Sequence, residues 1–133
     1  MSTYEYTGIN SSATVDFLAG AALTAPKGIA LALDGDGVKL PSAGADVVGI
    51  ALINNPDAVE AGGRVDVQVK DIGLWTAGGS FAAGALLATD AAGKAVTAAS
   101  GKKIIARALE AATAAGDLVK VQILNAGAEV PSE

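Results

Sequence analysis

Asp34-Gly35-Asp36-Gly37 is the segment whose residue types and spacing come nearest to chemistry, because alternating carboxylates beside glycine open many calcium loops. The rest of such a loop is missing. No Glu follows at the spacing of the bidentate ligand, and Lys39 stands where a further oxygen donor belongs. Asp-Gly is also a strong hairpin signal, so the segment reads as a turn. Two glycine-rich stretches, Ala61-Gly62-Gly63-Arg64 and Ala77-Gly78-Gly79-Ser80, have the composition of phosphate loops. Neither leads into a helix carrying G-K-[ST], and each precedes a β-like run, so both read as turns. Lys102-Lys103, after Ser100-Gly101, reads as a solvated loop tip.

The chain contains no His and no Cys. That removes thiol nucleophiles, thiolate metal sites, disulfides, and the commonest neutral-pH acid/base group and metal ligand. Serine, lysine and carboxylate chemistry needs neither residue, but no G-x-S-x-G elbow or S-x-x-K pair is present. The expectation is a protein that is not an enzyme, with no catalytic, metal-binding or cofactor-binding residues. Net charge is −5 and the pI about 4.5, with the acids scattered among turns, which disfavours free nucleic acid and suits a basic or complementary protein surface. Nor is a membrane or export segment expected. No stretch reaches ~18 uninterrupted apolar residues, and Met1-Ser-Thr-Tyr-Glu-Tyr-Thr-Gly8 lacks a basic region followed by an apolar one.

What must position any binding residues is a set of short β elements. The 133 residues amount to one domain, 51% hydrophobic but only 4% aromatic, which predicts a thin core of small side chains. Val15 to Leu23 and Ile29 to Leu33 are apolar runs separated by Ala25-Pro26-Lys27-Gly28, a turn between strands. Val47 to Ile53 is a buried-strand pattern, broken by Asn54-Asn55-Pro56-Asp57. In Arg64 to Lys70 the valines at 65, 67 and 69 alternate with polar residues, the clearest strand in the chain. Leu118 to Leu124 repeats that alternation. Leu74-Trp75 carries the single Trp, read as a core plug in preference to a binding hot spot.

Several of these segments occur twice. Gly28-Ile-Ala-Leu-Ala-Leu33, Val47-Val-Gly-Ile-Ala-Leu52 and Val65-Asp-Val-Gln-Val69 return as Gly84-Ala-Leu-Leu-Ala88, Ile104-Ile-Ala-Arg-Ala-Leu109 and Val119-Lys-Val-Gln-Ile123, at offsets of 56, 57 and 54 residues. Two copies at this period indicate related halves of one domain, not a solenoid. The repeat also bears on Ala106 to Ala115, whose composition is that of a helix ended by Gly116. Its counterpart contains Asn54-Asn55-Pro56, which a continuous helix would not tolerate, so strand followed by loop is favoured. A single helical turn near Glu110 to Ala115 stays open. The carboxylates of Asp34 and Asp36 are not kept together in the second copy, where Thr89-Asp-Ala-Ala-Gly-Lys94 has one acid. The apolar alternation and the glycine turns are kept.

Residues 1–14 are polar and hold both tyrosines, in Tyr4-Glu5-Tyr6. They read either as a frayed terminus or as an extended arm. Tyrosines with a polar tip favour an arm that docks on a neighbour. The division expected is therefore an arm over 1–14, a β domain over 15–124 with halves 15–73 and 74–124, and a flexible tail over 125–133.

The succession Ala-Leu-Asp34-Gly-Asp-Gly37, Val47-Val-Gly-Ile-Ala-Leu52, Ala61-Gly-Gly-Arg-Val-Asp-Val-Gln-Val69, Phe81-Ala-Ala-Gly-Ala-Leu-Leu87, Thr89-Asp-Ala-Ala-Gly-Lys94, Ile105-Ala-Arg-Ala-Leu-Glu110 and Ala114-Ala-Gly-Asp-Leu-Val-Lys-Val121 resembles the capsid decoration, or cement, proteins of tailed bacteriophages. The likeness runs from about Val15 to Leu124. It implies an all-β fold, a compact antiparallel barrel or sandwich of β-tulip type, made here of two related halves with an extended N-terminal arm. It also implies a homotrimer on the outer surface of the virion capsid, made in the host cytoplasm, that clamps adjacent major capsid protein subunits. Thr3, Tyr4, Glu5, Tyr6 and Thr7 are then the expected capsid-docking residues, with no cofactor, nucleic acid or membrane as partner. A second class, a carrier module, is similar in outline to lipoyl and biotinyl domains through the hairpin lysine at Gly93-Lys94. The Asp-Lys-Ala or Met-Lys-Met context of that lysine is absent.

Overall fold

The alternating valines are the clearest guide to the architecture. Val65 and Val67 are buried while Arg64 is exposed, and Val119, Val121 and Ile123 are buried while Lys120 and Gln122 are exposed, so each strand lines one core with one face. The computed structural model describes residues 13–124. Within them the strands are β1 (Thr14–Ala19), β2 (Leu23–Thr24), β3 (Ala30–Asp34), β4 (Gly37–Lys39), β5 (Gly49–Ala51), β6 (Ala58–Val59), β7 (Arg64–Gln68), β8 (Asp71–Thr76), β9 (Leu86–Thr89), β10 (Ala95–Thr97), β11 (Ala106–Ala108) and β12 (Leu118–Ile123). The fold is all-β, and the described residues contain no helix. Ala106 to Ala115 is strand and then loop, as the repeat argued against its helical composition.

A closed barrel runs in the order β1-β4-β3-β5-β7, and a five-stranded sheet in the order β10-β9-β11-β12-β8. Neighbouring strands are antiparallel except β1 and β4, whose parallel pairing of Leu18 with Gly37 and Ala19 with Val38 closes the barrel. The barrel is thus mixed where an antiparallel one was expected. A closed ring of five strands has an odd number of members, so directions cannot alternate all the way round and one neighbouring pair must be parallel.

Both sheets carry the same pairings. Ile50↔Gln68 and Ala51↔Val67 in the barrel correspond to Arg107↔Gln122 and Ala108↔Val121 in the second sheet, at the offsets of 57 and 54 read from the sequence. Leu31↔Gly49 corresponds to Leu87↔Ala106, and Leu33↔Val38 to Thr89↔Ala95. β8 takes the place of β1: Phe17 faces Val65 as Trp75 faces Val119. The parallel closure has its own echo in the isolated bridge Ala77↔Ala95.

The cores explain why two strands are apolar on both sides. Leu31 and Ala51 belong to the barrel interior with Val38, Val65 and Val67. Their neighbours Ala30 and Ile50 pack into the other core with Trp75, Leu87, Ile105 and Val121. β3 and β5 are therefore sandwiched between the two interiors, and Gly49, Ile50 and Ala51 are all buried. Such a strand reads as a short continuous apolar run, the pattern of Val47 to Ile53. Gly49 is fixed by close packing, since a Cβ there would run into the Gln68 carbonyl and lie 2.8 Å from Val67 Cγ1.

Candidate functional site

The segments that looked chemical are structural. Asp34 pairs with Gly37 across a two-residue turn, with Gly35 at φ 61°, the sign required at the first central position of a type II′ hairpin. In the longer second turn Asp90 Oδ1 accepts the N–H of Ala92 at 2.9 Å and of Lys94 at 2.8 Å. Here the carboxylate caps its own loop. Lys94 does not stand on a free tip, because it is half-buried and the carbonyl of Gly93 beside it is bonded to Trp75 and Ala30. A carrier lysine must swing out to meet its enzyme, and this hairpin is pinned between the halves. Among the described residues no group of three or more acidic side chains could hold a metal ion.

Trp75 is fully buried, with its indole N–H on the Gly93 carbonyl, as a core plug requires. Asn55 is a second buried polar anchor. Its amide N–H group donates to the carbonyls of Leu52 and Asp66, and its Oδ1 accepts the Asp66 N–H at 2.9 Å, tying the Asn-Asn-Pro loop to β7.

Charged pairs lie on the surface. Lys27 pairs with Asp57 and holds that carboxyl below the usual aspartate range, by hydrogen bond first and by charge second. Arg64 pairs with Asp16 across β1 and β7. Asp117 also lies low, because the Thr113 N–H, the Thr113 hydroxyl and the Ala114 N–H all donate to it.

The surface feature suited to binding is apolar and lies where the two sheets meet. A groove of about 360 Å³ is walled by Ile50, Leu52 and Ile53 on one side and Ile72, Leu74 and Lys120 on the other, with Gln68 at one end. Ile72 is 59% exposed and Ile53 48%, large values for isoleucines on ordered backbone. The Gln68 amide closes its end by donating to the carbonyls of Lys70 and Ile72, at 3.0 and 2.7 Å, and lies over Gly73, where a Cβ would come within 2.7 Å of Oε1.

Sequence reasoning missed this groove. Its outward signal was Ile72 and Leu74, which occupy the polar phase of β8 while Gly73 and Trp75 take the buried phase. The sequence-predicted docking residues Thr3, Tyr4, Glu5, Tyr6 and Thr7 lie outside the described residues. The chain that follows them enters the fold beside the groove: Val69 N–H donates to the Ala13 carbonyl at 2.8 Å, and Thr14 is paired with Gln68. At the far end Ile123 pairs with Asp71, so the final strand finishes at the same edge.

A family model of phage cement proteins matches residues 9–123, which is nearly the whole of both sheets. The chain belongs to the phage cement protein family. Membership assigns it a role as a capsid-associated phage protein. A solved structure described as the N base of the head fiber gp8.5 of bacteriophage phi29 is similar in fold, with a TM-score of 0.63 at 20% identity over 87% of this chain and 97% of that one. At that identity the likeness concerns the fold alone. No curated protein matches the chain.

Proposed function

We propose that this chain decorates the outer surface of an expanded phage head, bridging adjacent major capsid protein subunits as a homotrimer and docking through Thr3 to Thr7. The observation that carries the reading is the family match over residues 9–123. The body it falls on has two interlocked cores. A rigid body of this kind suits cement, since a ligand that binds the expanded shell and not its separated subunits stabilises the shell by mass action. The paired strand registers favour a duplicated β unit as the origin of the two halves, with surface and termini free to specialise. Tyr4 and Tyr6 supply aromatic anchors for an extended segment that adds to a capsid strand.

The test is co-sedimentation with expanded, decoration-free heads. The full chain is compared with one lacking residues 1–12, a cut that leaves β1 whole. Binding by the full chain and loss of binding by the shortened one are expected. Failure of the full chain to bind removes the capsid reading, and equal binding by both removes the role of the arm.

A further inference from the structure

The peptide groups of β8 alternate in direction, which identifies what the junction groove can hold. Ala77 N–H donates to Asp117 O at 2.7 Å on the β12 side, whereas Thr76 N–H donates to Gly28 O at 2.8 Å on the side away from it. Two residues before Thr76, Leu74 turns its N–H and C=O the same way as Thr76. Two residues earlier again, the Ile72 carbonyl faces that side and accepts the Gln68 amide. The Leu74 peptide thus opens into the groove between two closed ends, and no hydrogen bond among the described residues engages it. An apolar pocket with one backbone donor and one acceptor unmet among the described residues, and a lysine at its rim, fits a large amphipathic side chain carried on extended backbone.

We infer that this groove seats the chain's own N-terminal segment, with a tyrosine ring of Tyr4-Glu5-Tyr6 between Ile53, Ile72 and Leu74. Chain length and point of entry support this occupant. Ala13 is bonded to Val69, one residue from Gln68 at the end of the groove. Tyr6 lies seven positions before Ala13, a reach of roughly 23 Å when extended. Gly8, Asn10, Ser11 and Ser12 allow the chain to reverse on the way. Strand β12 also ends at this edge, but in residues 125–133 the largest apolar residue is Val130 and there is no aromatic ring to fill such a cavity. Charge agrees as well, since Lys120 is the charged residue of the groove wall and Glu5 the charged side chain of residues 1–12.

The chain has only two tyrosines, Tyr4 and Tyr6, so their ring protons report on the segment without ambiguity. In NMR spectra of the free full-length protein, cross-peaks are expected from these rings to methyl groups of Ile53, Ile72 and Leu74. In a mixture of labelled and unlabelled chains, none is expected between molecules. Ile72→Asp, at an exposed position, should abolish the cross-peaks while leaving the β-ladder amide shifts in place. Tyrosine signals without groove contacts overturn the inference. Cross-peaks found only between molecules overturn it in favour of a second copy. The inference concerns the free protein, before the same segment leaves the groove to dock on a head, so its failure leaves head binding to be judged separately.

Discussion

Trp75 donates its indole N–H to the carbonyl oxygen of Gly93 at 2.8 Å, and the same oxygen accepts the N–H of Ala30 at 2.7 Å. One carbonyl therefore joins β8, the β9–β10 turn and β3, which locks the barrel to the second sheet. Trp75→Phe keeps most of the buried ring and loses the donor, and is expected to cost about 1–2 kcal/mol. Trp75→Ala also opens a cavity between the halves and should cost about 3–5 kcal/mol. Urea denaturation of both variants checks the order.

Gly93 and Gly84 separate backbone conformation from packing. Both have positive φ, 81° and 88°, but a Cβ on Gly93 would lie 2.6 Å from the Ala30 carbonyl oxygen while one on Gly84 meets nothing within 4 Å. Gly84→Ala should cost about 1–2 kcal/mol from the left-handed backbone alone. Gly93→Ala should cost clearly more, because the turn must also move off β3. Thermal melting of the two variants side by side measures the difference.

Asn55 is held by two carbonyls and one N–H, a set that only an amide satisfies in full. Asn55→Ala leaves the Asp66 N–H without its partner and is expected to cost about 1–3 kcal/mol. Asn55→Asp instead aims carboxylate oxygens at the Leu52 and Asp66 carbonyls. That raises the new group's pKa, so its penalty is present at neutral pH and shrinks as the pH falls and the acid becomes a donor again. Denaturation of this variant at pH 7 and pH 4.5 should show the gap to the parent protein narrowing.

Asp117 has the opposite sign. Its carboxyl is held low by the Thr113 N–H first, then the Thr113 hydroxyl and the Ala114 N–H. Its contribution is complete above the unfolded aspartate value of about 3.9 and is lost as the pH falls through the lower folded value. Asp117→Asn should therefore loosen the Thr113–Asp117 loop at pH 6, with the difference from the parent chain disappearing in strong acid. Amide exchange at Thr113 and Ala114 across that range checks it.

Much of this was legible in the residues themselves. Period-two valines marked β7 and β12, Asp-Gly marked the β3–β4 turn, and the repeat offsets carried the cross-strand registers and overruled a helical composition at Ala106 to Ala115. These are local signals, set by backbone sterics and by which face of a strand meets water. β8 escaped because Ile72 and Leu74 sit on its outward phase and give the alternation the wrong sense.

The sequence alone determined strands such as β7 and β12, the β3–β4 turn and the absence of His and Cys chemistry, since local pattern and composition are enough for each. Only the tertiary structure decided that β3 and β5 serve two cores at once and that Gly93 joins the halves. The same holds for the apolar groove where the sheets meet, beside the point at which the N-terminal segment enters. Those features depend on residues far apart in sequence, such as Gln68 over Gly73 and Ile53 and Ile72 lining one groove, whose proximity is settled only when the barrel closes.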